Sequence, residues 1–345
     1  MHDHSAVNFW FVLVRAVHFG ACLLLLGTFC FDRFIASAAP MAERQWKAIA
    51  RRLLLIGLAL SLLTGAGWFG FVAMAMSGLP AGQAFEPQVL STVWNQTRFG
   101  QVFQDRLICW LLSGIIAIPF VCGRGPRTRA VWAWPGLAAS GLLVAGLAWA
   151  GHGQNGTAHL IADILHLLVS AVWPVGLLPL GMLLMRLVQA ENVAQPPSAV
   201  FDRRSKPFSA YGGTQPRAAD FDQLSRVVLQ NPPISQLVRR FSLVSILAVL
   251  LLTASGLVNT WVLVGSVSNL LTTAYGRVLL LKIGLFAVML AIGAINLLYL
   301  KPRIDSRADP LGFVRRVQFN VSLEILLAAA VLGVVGLLGL LEPGM

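Results

Sequence analysis

Long apolar runs dominate this sequence and constrain its fold more than any other feature. A helix needs roughly 20 apolar residues to cross a membrane core about 30 Å thick. Eight runs approach or exceed that length, at approximately residues 8–31, 50–76, 103–122, 131–150, 158–186, 239–265, 275–300 and 316–341. With 57% hydrophobic and 12% charged residues, the 345-residue chain is too apolar for a soluble globule. The sequence therefore predicts an all-α integral membrane protein with eight transmembrane helices.

The distribution of basic residues predicts how these helices are oriented. Most of the 26 Lys and Arg residues lie in the loops after the first, third, fifth and seventh apolar runs. The positive-inside rule places these loops in the cytoplasm, so both termini are expected on the periplasmic side. The net charge of +12 then reflects topology. Membrane lipid is an expected partner, whereas nucleic acid is not, because the basic residues are not interleaved with aromatic ones.

An internal repeat divides the chain. Residues 97–102 (TRFGQV) resemble residues 273–278 (TAYGRV), and residues 63–67 (LTGAG) resemble residues 252–256 (LTASG). Each copy carries an even number of spans, which predicts two tandem, parallel four-helix halves related by an axis near the membrane normal. The first half is assigned to 1–150 and the second to 151–186 with 237–345. Residues 187–236, which contain Pro196-Pro197, interrupt the apolar pattern and are interpreted as a cytoplasmic linker insertion.

A polar stripe follows the fifth apolar run. At helical spacing, one face carries His159, Asp163, His166, Ser170 and Trp173. Ionisable groups are costly in hydrocarbon, so this face is expected to line a bundle interior or a polar cavity. Two roles are open for Asp163: it neutralises a buried base, or it orients a histidine and carries a proton.

Several other charges fall in or beside predicted spans. The simplest expectation is that these residues neutralise one another, with Lys282 pairing with Glu324 and Arg15 pairing with Asp163. Asp105 and Arg106 also belong to this group.

The repeat makes His18 of the first helix the counterpart of His166. The two rings are expected at matching depth, where they would form a central site at the interface of the halves. Asp163, Arg15 and Trp173 are the expected supporting residues. Packing is the alternative role for both histidines.

A second group of potential metal ligands is predicted on the outer side. Imidazole and thioether side chains both coordinate soft or borderline metal ions. The loop Gly151–His159 is the expected entrance for the metal. Each residue in the group also has an ordinary role, in solvent or in packing. The group comprises His2, His4, His152, His159, Met74 and Met76.

Other function classes lack their motifs in this sequence. The four cysteines form no CxxC pair and predict no disulfide framework. The chain contains no GxxxxGK[ST] loop, which argues against an ATP-driven pump. We find no nucleophile–base arrangement, so no enzyme activity is expected.

Motifs in both halves resemble the copper resistance protein D (CopD) family. The resemblance lies in residues 162–168 (ADILHLL), Trp173, residues 176–180 (GLLPL), Thr253, Gly256, Asn259, Trp261, residues 275–277 (YGR) and Lys282. It implies a bacterial inner-membrane protein that moves copper from the periplasm toward the cytoplasm, in copper homeostasis or resistance. It also implies a periplasmic copper carrier resembling CopC as a partner. Here Trp173-Pro174-Val175-Gly176 departs from the usual Trp-x-Gly-Gly of the family.

Two other functions use the same residues. His18 and His166 could serve as axial ligands of a b-type haem in an electron-transfer protein. The chain could also be a non-transporting membrane partner of a copper carrier. A Soret band in purified protein would distinguish the haem protein from the copper protein.

Overall fold

The computed structural model describes residues 2–38, 43–123, 126–150, 156–194, 232–300 and 310–343, and these residues fold almost entirely into helices. The first half contains α1 (His2–Phe34), α2 (Glu43–Ser77), α3 (Ala81–Ala84), α4 (Pro87–Gln96), α5 (Arg98–Cys122) and α6 (Pro126–Trp149). The second half contains α7 (Thr157–Ser170), α8 (Leu177–Ala194), α9 (Pro232–Val264), α10 (Val267–Thr272), α11 (Ala274–Ile295) and α12 (Pro310–Leu338). A π-helical segment, Asn296–Leu300, extends α11.

Seven of the described helices are long and apolar enough to cross a membrane. Their membrane-length segments are Phe9–Phe34, Gln45–Ser77, Arg98–Cys122, Thr128–Trp149, Gln236–Val264, Ala274–Leu298 and Arg316–Leu338. These segments correspond to seven of the eight predicted spans. The prediction of an all-helical, multi-pass membrane protein is thus confirmed.

The fifth predicted span is not one continuous helix, and the sequence prediction was wrong on this point. It consists of two shorter apolar helices, α7 and α8, separated by turns at 171–176. Pro174 has no amide hydrogen to donate and its ring disturbs the preceding turn. The amide of Val175 instead donates to the Ser170 carbonyl at 3.4 Å, one residue further back than in an α-helix. The helix regains its regular pattern only after Gly176.

Helix α1 lies at the centre of the bundle. It packs against α2 and α6 of its own half and against α12 of the second half. Its side chains Cys22, Leu25 and Phe29 are completely buried. The small residues of α2 allow a close approach, because a Cβ at Gly67 would meet Val14 of α1 at 3.3 Å.

The second half meets the first through two main helix pairs. Helix α12 packs on α1, and α7 packs on α6. Within the second half, α9 packs on α7, and α11 and α8 pack on α12. The polar stripe of α7 is therefore surrounded by helices from both halves.

An ion-pair cluster joins the helices at the end where the basic loops lie. Arg129 pairs with Asp32 at 2.9 Å and with Glu43 at 3.6 Å, and the Trp46 indole donates to Asp32 at 2.7 Å. The sequence reasoning did not anticipate this cluster, because its members come from three separate segments.

Most of the predicted linker insertion, and the loop that contains His152, lie outside the described residues.

Candidate functional site

His18 lies in a fully polar pocket inside the first half. Its Nδ1 donates to the Ser61 carbonyl at 3.1 Å and approaches the Thr64 hydroxyl at 3.3 Å. Its Nε2 accepts from the Arg106 guanidinium at 2.8 Å, and Cys22 Sγ lies 3.7 Å away. These partners define a neutral ring with its proton on Nδ1. In this arrangement, Arg106 occupies the lone pair that a metal would need.

Arg106 is itself held from several directions. It is 4% exposed, and its Nε donates to the Leu143 carbonyl at 3.2 Å. Its guanidinium carbon lies 5.4 Å from the centre of the Trp68 ring, which also contacts His18. A cation over an aromatic face gains electrostatic stabilisation in an apolar interior. From the sequence, Arg106 was expected only to be neutralised by a buried acid, and its contact with His18 was not predicted.

His166 has a matching environment inside the second half. Its Nδ1 lies 3.1 Å from the Ser255 hydroxyl and also hydrogen-bonds to the Leu252 carbonyl. The Ser255 hydroxyl donates its own proton to carbonyls of its helix, so His166 Nδ1 must be the donor in its hydrogen bond with Ser255 Oγ. The ring therefore keeps its lone pair on Nε2. Lys282 interacts electrostatically with this ring.

The two pockets share one design. In each, a ring nitrogen bonds to a backbone carbonyl and to a hydroxyl three residues later, and a glycine follows beneath the ring. The paired residues are Ser61 with Leu252, Thr64 with Ser255, and Gly65 with Gly256. This pairing shifts the sequence alignment of the two motifs by two positions. The two motifs are therefore aligned by the glycine that lies beneath each histidine ring, and not by the apolar residues next to that glycine.

The two histidines have different partners among the described residues. The ring of His18 hydrogen-bonds to residues of α2 and α5, whereas the ring of His166 hydrogen-bonds to residues of α9 and interacts electrostatically with Lys282 of α11. Within the described ranges, we find no group of three or more His, Cys, Asp and Glu side chains that could hold a metal ion. A b-type haem held between these two rings finds no support in this geometry.

Asp163 is the centre of a polar network between the halves. It accepts a hydrogen bond from Asn259 at 3.3 Å and interacts electrostatically with Arg15, Lys282 and Tyr275. Arg15 belongs to α1 and donates to the Gly339 carbonyl of α12 at 3.0 Å. The expected proximity of Arg15 and Asp163 is thus present, and Lys282 joins them. The expected pairing of Lys282 with Glu324 is wrong, because Lys282 interacts electrostatically with Asp163 and His166 instead.

His159 is the unusual member of the α7 stripe. Its ring is 2% exposed, and neither ring nitrogen has a hydrogen-bond partner among the described residues. It lies one helical turn from Asp163, toward the end of α7 that the positive-inside rule places outside. Asn259 and Arg15 both interact with Asp163, and Asn259 Oδ1 and Arg15 Nε are likewise buried without a partner in the described part of the chain. Buried polar atoms are normally satisfied, so this concentration indicates a place that receives something polar.

The remaining predicted ligands do not come together in the described residues. Met74 and Met76 are two positions apart on α2, so their side chains leave the helix on nearly opposite faces. Met76 is 54% exposed. The backbones of His2 and His4 belong to α1, but their side chains, like His152, lie outside the described part of the structure. Trp173 is buried within the break between α7 and α8 and contacts Phe286.

The fold and these pockets define a multi-pass helical membrane protein with a buried, histidine-containing polar network. Two family models match the chain: "Copper resistance protein D-like, N-terminal domain" over residues 1–160 and "Copper resistance protein D" over residues 235–338. The chain belongs to the copper resistance protein D family. No solved structure matches it.

Three curated relatives agree with this membership. Copper transport protein CutJ of Bacillus subtilis (strain 168) is 25% identical over 95% of this chain, although the chain spans only about half (53%) of that longer protein. Copper resistance protein D of Pseudomonas syringae pv. tomato is 25% identical, with 97% of each chain covered. Inner membrane protein YebZ of Escherichia coli (strain K12) is 26% identical, over 97% of this chain and 99% of the relative. The chain is accordingly a multi-pass membrane protein of the copper resistance protein D family.

Proposed function

We propose that this protein moves copper from the periplasm toward the cytoplasm along the polar face of α7. The observation that carries this proposal is His159, at the outer end of that face. It is a buried imidazole whose two ring nitrogens have no hydrogen-bond partner among the described residues. A copper ion coordinated there would satisfy one of these nitrogens, and imidazole is a good copper ligand in either oxidation state.

The path we propose continues from His159 to His166. These residues are seven positions apart, about 10 Å along the helix, with Asp163 between them. Arg15 and Lys282 place positive charge beside this route and would repel a copper ion. Asp163, which interacts with both bases, offsets that charge. The Nε2 lone pair of His166 supplies the next ligand.

We further propose that the fold consists of two parallel four-helix halves, with α7 and α8 together forming a broken fifth span. Two observations support it. The histidine pockets have matching contacts on the Nδ1 side of the ring. Contact between the halves is also reciprocal: α1 packs on α12, and α7 packs on α6. Reciprocal packing is expected for a two-fold axis near the membrane normal. With the basic loops inside, both termini and the start of α7 face the periplasm.

The metal donor we propose is a periplasmic carrier resembling CopC, a partner that the family resemblance suggests. It would deliver copper near the outer end of α7, where His2, His4 and His152 could assist capture. A protein that accepts copper from such a carrier but never passes it across the membrane would be the alternative, a non-transporting partner.

Copper binding by purified protein tests the loading step. Competition with a chromophoric copper chelator should show that His159→Ala weakens copper binding about tenfold or more, equivalent to about 1.4 kcal/mol. The His152→Ala/His159→Ala double variant should weaken it further. Thr157→Ala, two residues earlier on the exposed face of the same helix, is the matched control and should bind normally. Unchanged copper affinity in the double variant would reject His159 as the loading site.

A further inference from the structure

A cavity lies in the second half, beyond the break between α7 and α8. Its volume is about 270 Å³, enough for several water molecules at roughly 30 Å³ each. Along α9 its lining extends from Val238 to Leu250, about 18 Å at 1.5 Å per residue. Val238 and Val317 lie close to the ends of their spans that the positive-inside rule assigns to the cytoplasm. The cavity therefore extends from the inner surface toward the middle of the membrane.

Glu324 of α12 is the ionisable group among the described residues that line this cavity. It is 1% exposed, and its Oε1 accepts a hydrogen bond from the Asn296 amide at 3.4 Å. Asn320 orients Asn296 by donating to its Oδ1 at 2.6 Å. No basic side chain of the described residues forms an ion pair with Glu324. An ionised carboxylate at this depth would lack a counter-charge, which strongly favours a bound cation or proton.

Two serines on the α9 wall of the cavity differ in a way that indicates where a ligand would bind. Ser242 donates to the Val238 carbonyl at 2.7 Å, as serines within helices commonly do. The Ser245 hydroxyl, one turn further along, is buried and has no hydrogen-bond partner in the part of the chain that the structure describes. A hydroxyl that bonds neither its own helix nor a neighbour is free to bond a molecule in the cavity.

The donor set distinguishes between possible cations. Carboxylate, amide and hydroxyl oxygens are hard ligands, whereas Cu(I) prefers sulfur and nitrogen. A sodium ion needs several oxygen ligands, but most of the described lining is aliphatic, and Asn296 Oδ1 is already engaged by Asn320. A proton needs only the carboxylate and a water chain. The charged groups of neighbouring α1 are engaged elsewhere, Arg15 with Gly339 and Asp32 with Arg129.

We propose that Glu324 is a proton-binding site, positioned by Asn296 and reached from the cytoplasmic side through this cavity, with Ser245 holding the water next to the carboxyl group. If copper moves along α7 as proposed above, uptake and release of this proton couple the pH gradient to copper movement. The proposed proton site does not depend on copper transport, because the cavity, the Glu324 carboxyl group and the Ser245 hydroxyl are observed without reference to a copper path.

Infrared difference spectroscopy of the full-length protein in lipid, without copper, tests the proton site. The wild type should show a protonated-carboxyl band that disappears as the pH is raised, and Glu324→Gln should lack it. Ser245→Ala should shift the titration midpoint or slow proton exchange, whereas Ser242→Ala, in the same wall, should not. A band that survives in Glu324→Gln overturns the proposal, as does the absence of any titrating band. Loss of the band on addition of Na⁺ at constant pH would indicate a sodium site and also overturn it.

Uptake by proteoliposomes then tests coupling. A pH gradient should change the rate of copper uptake in the wild type and in Ser242→Ala, but not in Glu324→Gln, whose fold is checked by circular dichroism and gel filtration. An unaltered response to the gradient in Glu324→Gln overturns the coupling. If the wild type moves no copper at all, the proposed copper path fails, while the infrared titration still decides the proton site.

Discussion

At the scale of single residues, His18 and His166 have the same surroundings on one side of the ring and different surroundings on the other. Both direct Nδ1 at a carbonyl and a hydroxyl of the following long helix. His18 then accepts a bond from Arg106, whereas His166 has Lys282 nearby. A ring that already accepts from a buried guanidinium braces three helices together. We therefore expect the loss of His18 to lower the stability of the protein more than the loss of His166 does. The loss of His166 should in turn impair copper transport more than the loss of His18 does.

The glycines beneath the two rings allow a direct comparison of the pockets. A Cβ at Gly65 would meet His18 Cε1 at 3.1 Å, whereas a Cβ at Gly256 would meet His166 Cε1 at 3.5 Å, an ordinary contact. Gly65→Ala should push the His18 ring away from its partners and leave the protein about 1 kcal/mol less stable than Gly256→Ala does, the value of one hydrogen bond. Gly256→Ala should be neutral or slightly stabilising, because alanine favours a helix. Thermal unfolding in detergent measures both.

Equal melting temperatures for these two alanine variants would show that the His18 ring adjusts without cost. His18→Ala in each background provides the control, because removing the ring should also remove the effect of Gly65→Ala.

The sequence could reveal the polar stripe of α7 and the likeness of His18 to His166, because both depend on spacing along the chain. It could not reveal that Arg106 reaches His18, nor that Lys282 lies with Asp163 instead of Glu324. Those contacts join different helices, and helical periodicity carries no information about which face meets which neighbour. The lack of partners around His159 is likewise visible only once all neighbouring helices are in place.

At the scale of elements, the short helices α4 and α10 end in the same way. Thr97 accepts a hydrogen bond from the Gly100 amide and donates to the carbonyl of Val93. Thr273 accepts from the Gly276 amide and donates to the carbonyl of Asn269. Each threonine therefore ends a short outer helix and caps the next long one. This explains why the TxxG motif occurs twice in the sequence.

Removing either cap should weaken the start of its span. We expect Thr97→Ala and Thr273→Ala each to destabilise the protein by about 1 kcal/mol, since each loses an N-cap bond. Serine at either position should retain most of the stability. Thr272→Ala is the matched control, because that exposed hydroxyl bonds only to the Ser268 carbonyl within its own helix. A loss in Thr272→Ala as large as in Thr273→Ala would contradict the capping account.

Seven spans could be predicted from hydropathy because their apolar runs are long and uninterrupted. The fifth could not be predicted correctly, since Pro174 and Gly176 lie inside an apolar run whose average hydropathy hides them. A run of apolar side chains gives the length of a buried segment, whereas the backbone hydrogen bonds decide whether that segment is a single helix. The break places Trp173 at the outer end of the cavity that contains Glu324.

At the scale of the whole molecule, polar groups occur at three levels of the second half. His159 lies near the start of α7, Asp163 and His166 lie further along that helix, and Glu324 lies in the cavity beyond the break between α7 and α8. The ion pairs of Arg129 join α1, α2 and α6 at the end where the basic loops lie. Such an arrangement suits a first half that serves mainly as a scaffold and a second half that handles ions. The reciprocal contacts of α1 with α12 and α6 with α7 couple the two.

Copper uptake by proteoliposomes of known orientation tests the central proposal most directly. Orientation is scored by labelling Thr157→Cys with an impermeant thiol reagent, in a background without the native cysteines. Copper added on the labelled side should enter vesicles containing the wild-type histidines. Uptake should be lost in His166→Ala, while copper still binds at the outer site and the protein remains folded. Full uptake by His166→Ala, or uptake only when copper is added on the opposite side, would contradict an inward copper path along α7.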